Sequence, residues 1–199
     1  MNFKHAVLLA PHLDDGELST GGTVAKLTEG GCHVTHVGFY APDDRASELR
    51  RSAKVLGIQE VVLHNFDHRT FPSHRQEILQ ALYDFDETHT VDLVLTPSTT
   101  DIHQDHQTVT NEAIRAFRRS TILGYDVPGN NIEFKQQCFI PLTEKQIAKK
   151  VEAVLCYQSQ VEARSLRFSE EYVRGKAIAC GTHIRTKYAE AFEVIRLVM

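Results

Sequence analysis

Residues 5–10 read His-Ala-Val-Leu-Leu-Ala, and a strand built from them has no face to offer water. Side chains alternate between the two faces of a strand, so consecutive apolar residues need cover on both sides. That requirement points to an interior strand of a parallel sheet with helices above and below it. The chain keeps to this theme. HVTHVGF at 33–39, EVVLHNF at 60–66 and VDLVLTP at 91–97 are further strand-like runs. Between them lie stretches with helical spacing. One runs from a cap at Ser19 or Thr20 to Glu29, one over 45–56 up to Gly57, one from Ser73 to Phe85, and one over 105–118. Such alternation implies right-handed crossovers. After Ser120 the order loosens. TILGYDVP and FKQQCFIP suggest two strands, a helix starts at Thr143, and the tail from Arg164 mixes a helix with a helical or strand-like end. The expectation is one α/β domain over 1–199, a mostly parallel sheet with helices on both faces.

Bulk properties exclude several roles. A net charge of -4 argues against a non-specific nucleic-acid binder, which would be basic. No apolar stretch approaches the ~20 residues that span a bilayer, so no integral membrane segment is expected. The chain enters a strand pattern without a charged and then apolar leader. Cys32, Cys138, Cys156 and Cys180 lie far apart without a CxxC pair, as expected of reduced thiols in a cytoplasmic protein.

In parallel sheets ligands bind at the carboxyl ends of the strands, near the point where strand order reverses. The loop after the first strand offers His12, Asp14 and Asp15. The loop after the fourth offers Asp101, His103, Asp105 and His106. If those strands are neighbours, both loops meet in one crevice. Adjacent carboxylates repel each other, and a divalent cation between the loops removes that cost. Zinc takes histidine nitrogen and carboxylate oxygen, with three protein ligands and an open position in catalytic sites. A His-x-x-Asp from one loop and a histidine from the other supply such a shell. The second aspartate is then free to take a proton from water, as a general base. His103 is placed to stabilise a developing oxyanion or to protonate a leaving group. Read alone, either segment is also compatible with a capped helix start bearing surface side chains. Gly21-Gly22 lacks a phosphate-loop pattern and reads as room for close helix packing.

PHLDDGELSTGGTVA resembles the AHPDDE-type opening motif of the PIG-L/LmbE-like deacetylases, and DIHQDH resembles their later H-x-D-H motif. RASE at 45–48, Asp67, YQSQ at 157–160 and YAEAFEVIR at 188–196 are similar to further landmarks, so the resemblance covers nearly the whole chain. It implies a Rossmann-like fold and a zinc-dependent N-deacetylase, with another divalent transition metal as the alternative ion. It makes His12, Asp15 and His106 the metal ligands, Asp14 the general base and His103 the electrophilic or acid group. Asp105 becomes a residue that orients His103 or another histidine, and Arg45 and Asp67 become sugar contacts. Leu13 replaces the family's proline, and Gly16 stands where many relatives have glutamate, with Glu17 following. The implied partner is a small N-acetylated sugar or conjugate, with a homo-oligomer left open. Two other readings remain: a receiver-like phospho-acceptor domain using Asp67, and a relative that binds a ligand without turning it over.

Other residues carry weaker expectations. Most remaining histidines are assigned structural or surface roles, with His68 beside the crevice as the exception. His183 is a candidate to reach the site from the C-terminal part. Asp43-Asp44 reads as a helix cap, RSLRFSEEYVRGK as a solvated face, and Tyr157 and Gln160 as packing or hydrogen-bonding residues.

Overall fold

In the computed structural model, which describes residues 3–198, the apolar run becomes β1 (His5–His12), an interior strand of one sheet. The chain continues through α1 (Asp15–Glu29), β2 (His33–Tyr40), α2 (Asp43–Leu56) and β3 (Glu60–Leu63). A 3-10 turn (Phe71–His74) leads to α3 (Arg75–Thr88), β4 (Leu93–Pro97), α4 (Gln104–Ala116) and β5 (Thr121–Tyr125). Then come β6 (Cys138–Leu142), α5 (Glu144–Leu155), α6 (Gln158–Ala163), α7 (Glu170–Thr182) and β7 (Tyr188–Arg196). The strand order is β3-β2-β1-β4-β5-β7-β6. The first five strands pair in parallel, and β7 runs antiparallel between β5 and β6. This is the Rossmann-like arrangement that the alternating pattern demands, with order reversing between β1 and β4.

Both faces of β1 are covered. Ala6 and Leu8 join a core beneath α1, α2, α5 and α7, whereas Val7 and Leu9 join a second core beneath α3 and α4. Among the described residues no helix is long and apolar enough to cross a membrane. The four cysteines are free.

Several boundaries depart from the sequence expectation, and α2 opens at Asp43 behind an N-cap at Pro42, so Asp43 and Asp44 lie in its first turn and do not cap it. Helix α1 begins at Asp15, not after a cap at Ser19 or Thr20. Acidic Asp15 and Glu17 favour its first turn, while Ser19 and Thr20 turn their hydroxyls to the carbonyls of Asp126 and Gly16. Strand β3 stops at Leu63, short of the expected Phe66. The expected helix at Ser73 is preceded by the 3-10 turn containing Pro72, and its α-helical part starts at Arg75.

The glycines of the first motif serve close packing. A Cβ on Gly16 would lie 2.7 Å from Leu8 Cδ2, and one on Gly22 would collide with Leu142 Cδ1. Behind Gly22 sits a buried ion pair. Lys150 Nζ lies 2.6 Å from a Glu190 carboxylate oxygen, and that carboxylate accepts the Gly22 and Thr23 amides at 3.0 and 2.7 Å. Removing one member of such a pair leaves the other charge buried and unpaired, at a cost of about 3–5 kcal/mol. Lys150→Met is therefore expected to lower unfolding free energy by about that amount in a denaturant titration. An unchanged midpoint would show that water reaches Glu190.

Candidate metal centre

The site forms where β1 and β4 deliver their carboxyl ends side by side. His12 closes β1, only Leu13 and Asp14 follow before α1, and Asp15 is the first helical residue. Leu13, at the position of the family's proline, is fully buried over Gly38 of β2, where a Cβ would collide with Leu13 Cδ2. The buried Tyr157 hydroxyl donates to the Leu13 carbonyl at 2.7 Å. This short connection is thus fixed from below by packing and a hydrogen bond.

Three donor atoms converge. His12 Nδ1 lies 3.2 Å from Asp15 Oδ2, His106 Nε2 lies 3.1 Å from that same oxygen, and the two nitrogens are 3.1 Å apart. A cation with bonds of about 2.0–2.1 Å spaces its ligands by about 2.8–3.4 Å, between octahedral and tetrahedral angles. The imidazole–carboxylate set and its triangular spacing therefore fit a small divalent ion. A second group, from His12, His68, His103 and Asp105, has donor atoms within 4.8 Å of one another. It is looser, and Asp105 already accepts from the Arg69 amide at 2.8 Å and the Phe71 amide at 3.3 Å.

Each of the two histidines is held through its other nitrogen, the arrangement that fixes an imidazole for metal binding. His106 Nδ1 lies 2.7 Å from Asp101 Oδ2, and His12 Nε2 lies 3.3 Å from Asp105 Oδ2. Asp105 thus orients His12. Its carboxylate is 4.0 Å from His103 Nδ1, but its backbone N–H donates to that nitrogen at 3.2 Å as His103 caps α4. An accepting Nδ1 leaves the ring proton on Nε2.

Asp14 occupies the N-cap position of α1, yet its side chain makes no capping hydrogen bond. The helix-cap reading of the Asp-Asp pair fails here, because Asp15 turns back to accept the His12 amide at 3.0 Å. Asp14 is 4 % exposed; burial raises its pKa, neighbouring Asp15 raises it further, and Arg45, 3.6 Å away, opposes both. Burial, reinforced by His106 and His12, pushes His103 down to about 4.

Burial alone would lower the pKa of His106, but Asp15 and Asp101 lift it to about 10. Burial would raise Asp15, yet His106 and His12 hold it well below the usual carboxylate range. Without a cation, the cluster keeps a proton on His106. A metal bound at the triangle would have to displace that proton, so its affinity would rise with pH below about 10, by about one decade per unit for each proton released. Calorimetric titration of zinc in buffers of different protonation enthalpy is expected to show this release at pH 7–8. An affinity independent of pH would contradict the assignment.

A cavity of about 250 Å³ opens over the cluster, lined among others by Asp14, Arg45, His68 and His103. Asp67 is exposed and outside this lining; its carbonyl accepts from the Thr70 amide while His68 and Arg69 take the places facing the cavity. His183 stacks on Phe139 at 5.2 Å and is not part of the lining. Sequence reasoning missed Asn130, Arg69, Arg164, Arg167 and Phe168. The last three come from RSLRF, expected to be a solvated face; mixed charge hid a segment anchored by buried Phe168. Asp101's place beside His106 had a signal, its position within DIHQDH.

Fold and site together define a Rossmann-like α/β protein with a histidine–carboxylate centre at the sheet's switch point. The chain belongs to the PIG-L family: the family model described as GlcNAc-PI de-N-acetylase matches residues 7–117. The uncharacterized deacetylase YaiS of Escherichia coli K12 is 28% identical over 169 residues, covering 78% of this chain and 91% of YaiS. The diacetylchitobiose deacetylase of Thermococcus kodakarensis is 24% identical over 224 residues, covering 96% and 83%. Among solved structures, the conserved protein TT1542 of Thermus thermophilus superposes with a TM-score of 0.81 at 23% identity, covering 98% and 96%.

Proposed function

We propose that the protein is a zinc-dependent N-deacetylase that hydrolyses the acetyl amide of an amino sugar or sugar conjugate. The observation that carries this reading is the His12–Asp15–His106 triangle with Asp14 buried, uncapped and adjacent. Family membership and relatives named as deacetylases support it. When bound at the triangle, a divalent ion supplies Lewis-acid polarisation of the acyl oxygen and lowers the pKa of water.

The chain's own residues supply the rest. Asp14 takes a proton from the attacking water as its oxygen bonds to the acyl carbon, and its raised pKa makes it a stronger base. Arg45 steadies the carboxylate from 3.6 Å. His103, neutral near pH 7, donates through Nε2–H to the oxygen that gains negative charge. The C–N bond breaks as protonated Asp14 returns its proton to the leaving nitrogen, giving acetate and a free amine. Asp101 and Asp105 hold the two ligand imidazoles throughout.

A phospho-acceptor role for Asp67 is not favoured, since that residue is exposed beyond the edge strand β3 and outside the cavity. A ligand-binding relative without turnover would have no use for an uncapped carboxylate beside the triangle. The free cysteines support a reducing, cytoplasmic setting. The test is product analysis on N-acetylglucosamine, diacetylchitobiose and related conjugates. Acetate and free amine are expected in equal amounts from the zinc-loaded protein; amine-free turnover would sink the reading.

A further inference from the structure

Four arginines line the cavity, Arg45, Arg69, Arg164 and Arg167, in a chain whose net charge is -4. Arg45 is committed to Asp14. The other three have no carboxylate within 4.0 Å among the described residues, although the surface is otherwise rich in ion pairs. Guanidinium groups carry donors only and match phosphate or carboxylate oxygens in bidentate fashion. A neutral sugar would leave their charge without an ionic partner.

Two of them are also built into place. Arg69 has a backbone φ of 67°, a left-handed conformation that suits glycine or asparagine better than arginine. Its amide is held by Asp105 at 2.8 Å, and its carbonyl accepts from the Gln104 side chain. The residue that orients His12 thus also fixes the backbone of Arg69. Arg167 Nη1 donates to the Pro128 carbonyl at 2.5 Å, fixing one edge of its guanidinium. Phe168, 2 % exposed, pins the Arg164–Phe168 segment to the cavity wall.

We propose that Arg69, Arg164 and Arg167 form an anion subsite, so that the acetylated substrate carries a phosphate or carboxylate on the part remote from its amide. This inference rests on the deacetylase reading for the chemistry, but not for the binding. Zinc-loaded protein is compared on neutral N-acetylglucosamine, its 1- and 6-phosphates, and N-acetylmuramic acid. At least one anionic sugar is expected to exceed the neutral one in kcat/KM by about 10- to 100-fold, the range of a charge-assisted contact. The sugar phosphates and the carboxylate sugar distinguish the two anions. The preference should shrink at high salt. Arg164→Gln and Arg167→Gln should each cut the anionic-to-neutral ratio by about tenfold. Arg118→Gln, at the far end of the sheet, should leave that ratio alone.

A ratio near one, unmoved by either substitution, overturns the subsite while the deacetylase reading stands. Acetate from none of these sugars would count against the deacetylase reading, and binding then decides the subsite alone. Titration of glucosamine 6-phosphate and glucosamine 1-phosphate should show binding weakened in the Arg164→Gln/Arg167→Gln protein. Absence of binding to either, or equal binding by both proteins, overturns the subsite. Thermal melts confirm that the variants are folded.

Discussion

Asp14→Asn is expected to lower the rate of acetate release by about 10²–10⁴-fold, the usual contribution of a positioned general base, with metal content unchanged. The substitution keeps shape and burial, touches none of the three triangle atoms, and removes only the capacity to take up a proton. Asp14 is well placed for that role because the N-cap position normally ties up such a side chain, and here it does not. The amide would also relieve the crowding with Asp15 that helps raise the Asp14 pKa, so a fold defect is not expected. Steady-state rates with metal analysis of the same sample check both halves. An active Asp14→Asn variant would move the base role to another residue.

His106→Ala is expected to reduce bound metal from about one ion per chain to near none, and activity with it. His106 contributes Nε2 to the triangle and is clamped from behind by Asp101 at 2.7 Å, so the deletion removes a pre-aimed donor atom. Asp101→Asn separates aiming from ligation: affinity should fall by about 10–100-fold, with the ion still bound at high concentration. Should His106→Ala retain a full complement of metal, the ion belongs to the looser His12, His68, His103 and Asp105 group instead.

Much of this arrangement was legible in the residues. The run His5–Ala10 required cover on both faces, and β1 received it from two separate cores. Placing the ligand-rich loops after the first and fourth strands was enough to bring His12, Asp15 and His106 together, because those strands are neighbours. What stayed hidden depends on tertiary partners. Glu190 and Glu193 make β7 look half solvated, yet Glu190 is buried against Lys150 and two helix amides. Glu193 takes the Thr99 amide and hydroxyl. Charges satisfied across distant elements blur the alternation that marks a strand. The same holds for Arg164 and Arg167, whose reach into the cavity depends on Phe168 finding the core. Asp67 illustrates the reverse: a carboxylate after a strand invites a functional role, but the left-handed turn at Arg69 presents its neighbours to the cavity.

The most direct test of the central claim is acetate release from N-acetyl amino sugars by stripped protein as zinc is added back. Release should rise in proportion to zinc and level off at about one ion per chain. Stripped protein as active as loaded protein would contradict the account, as would loaded protein that frees acetate from no acetylated amino sugar.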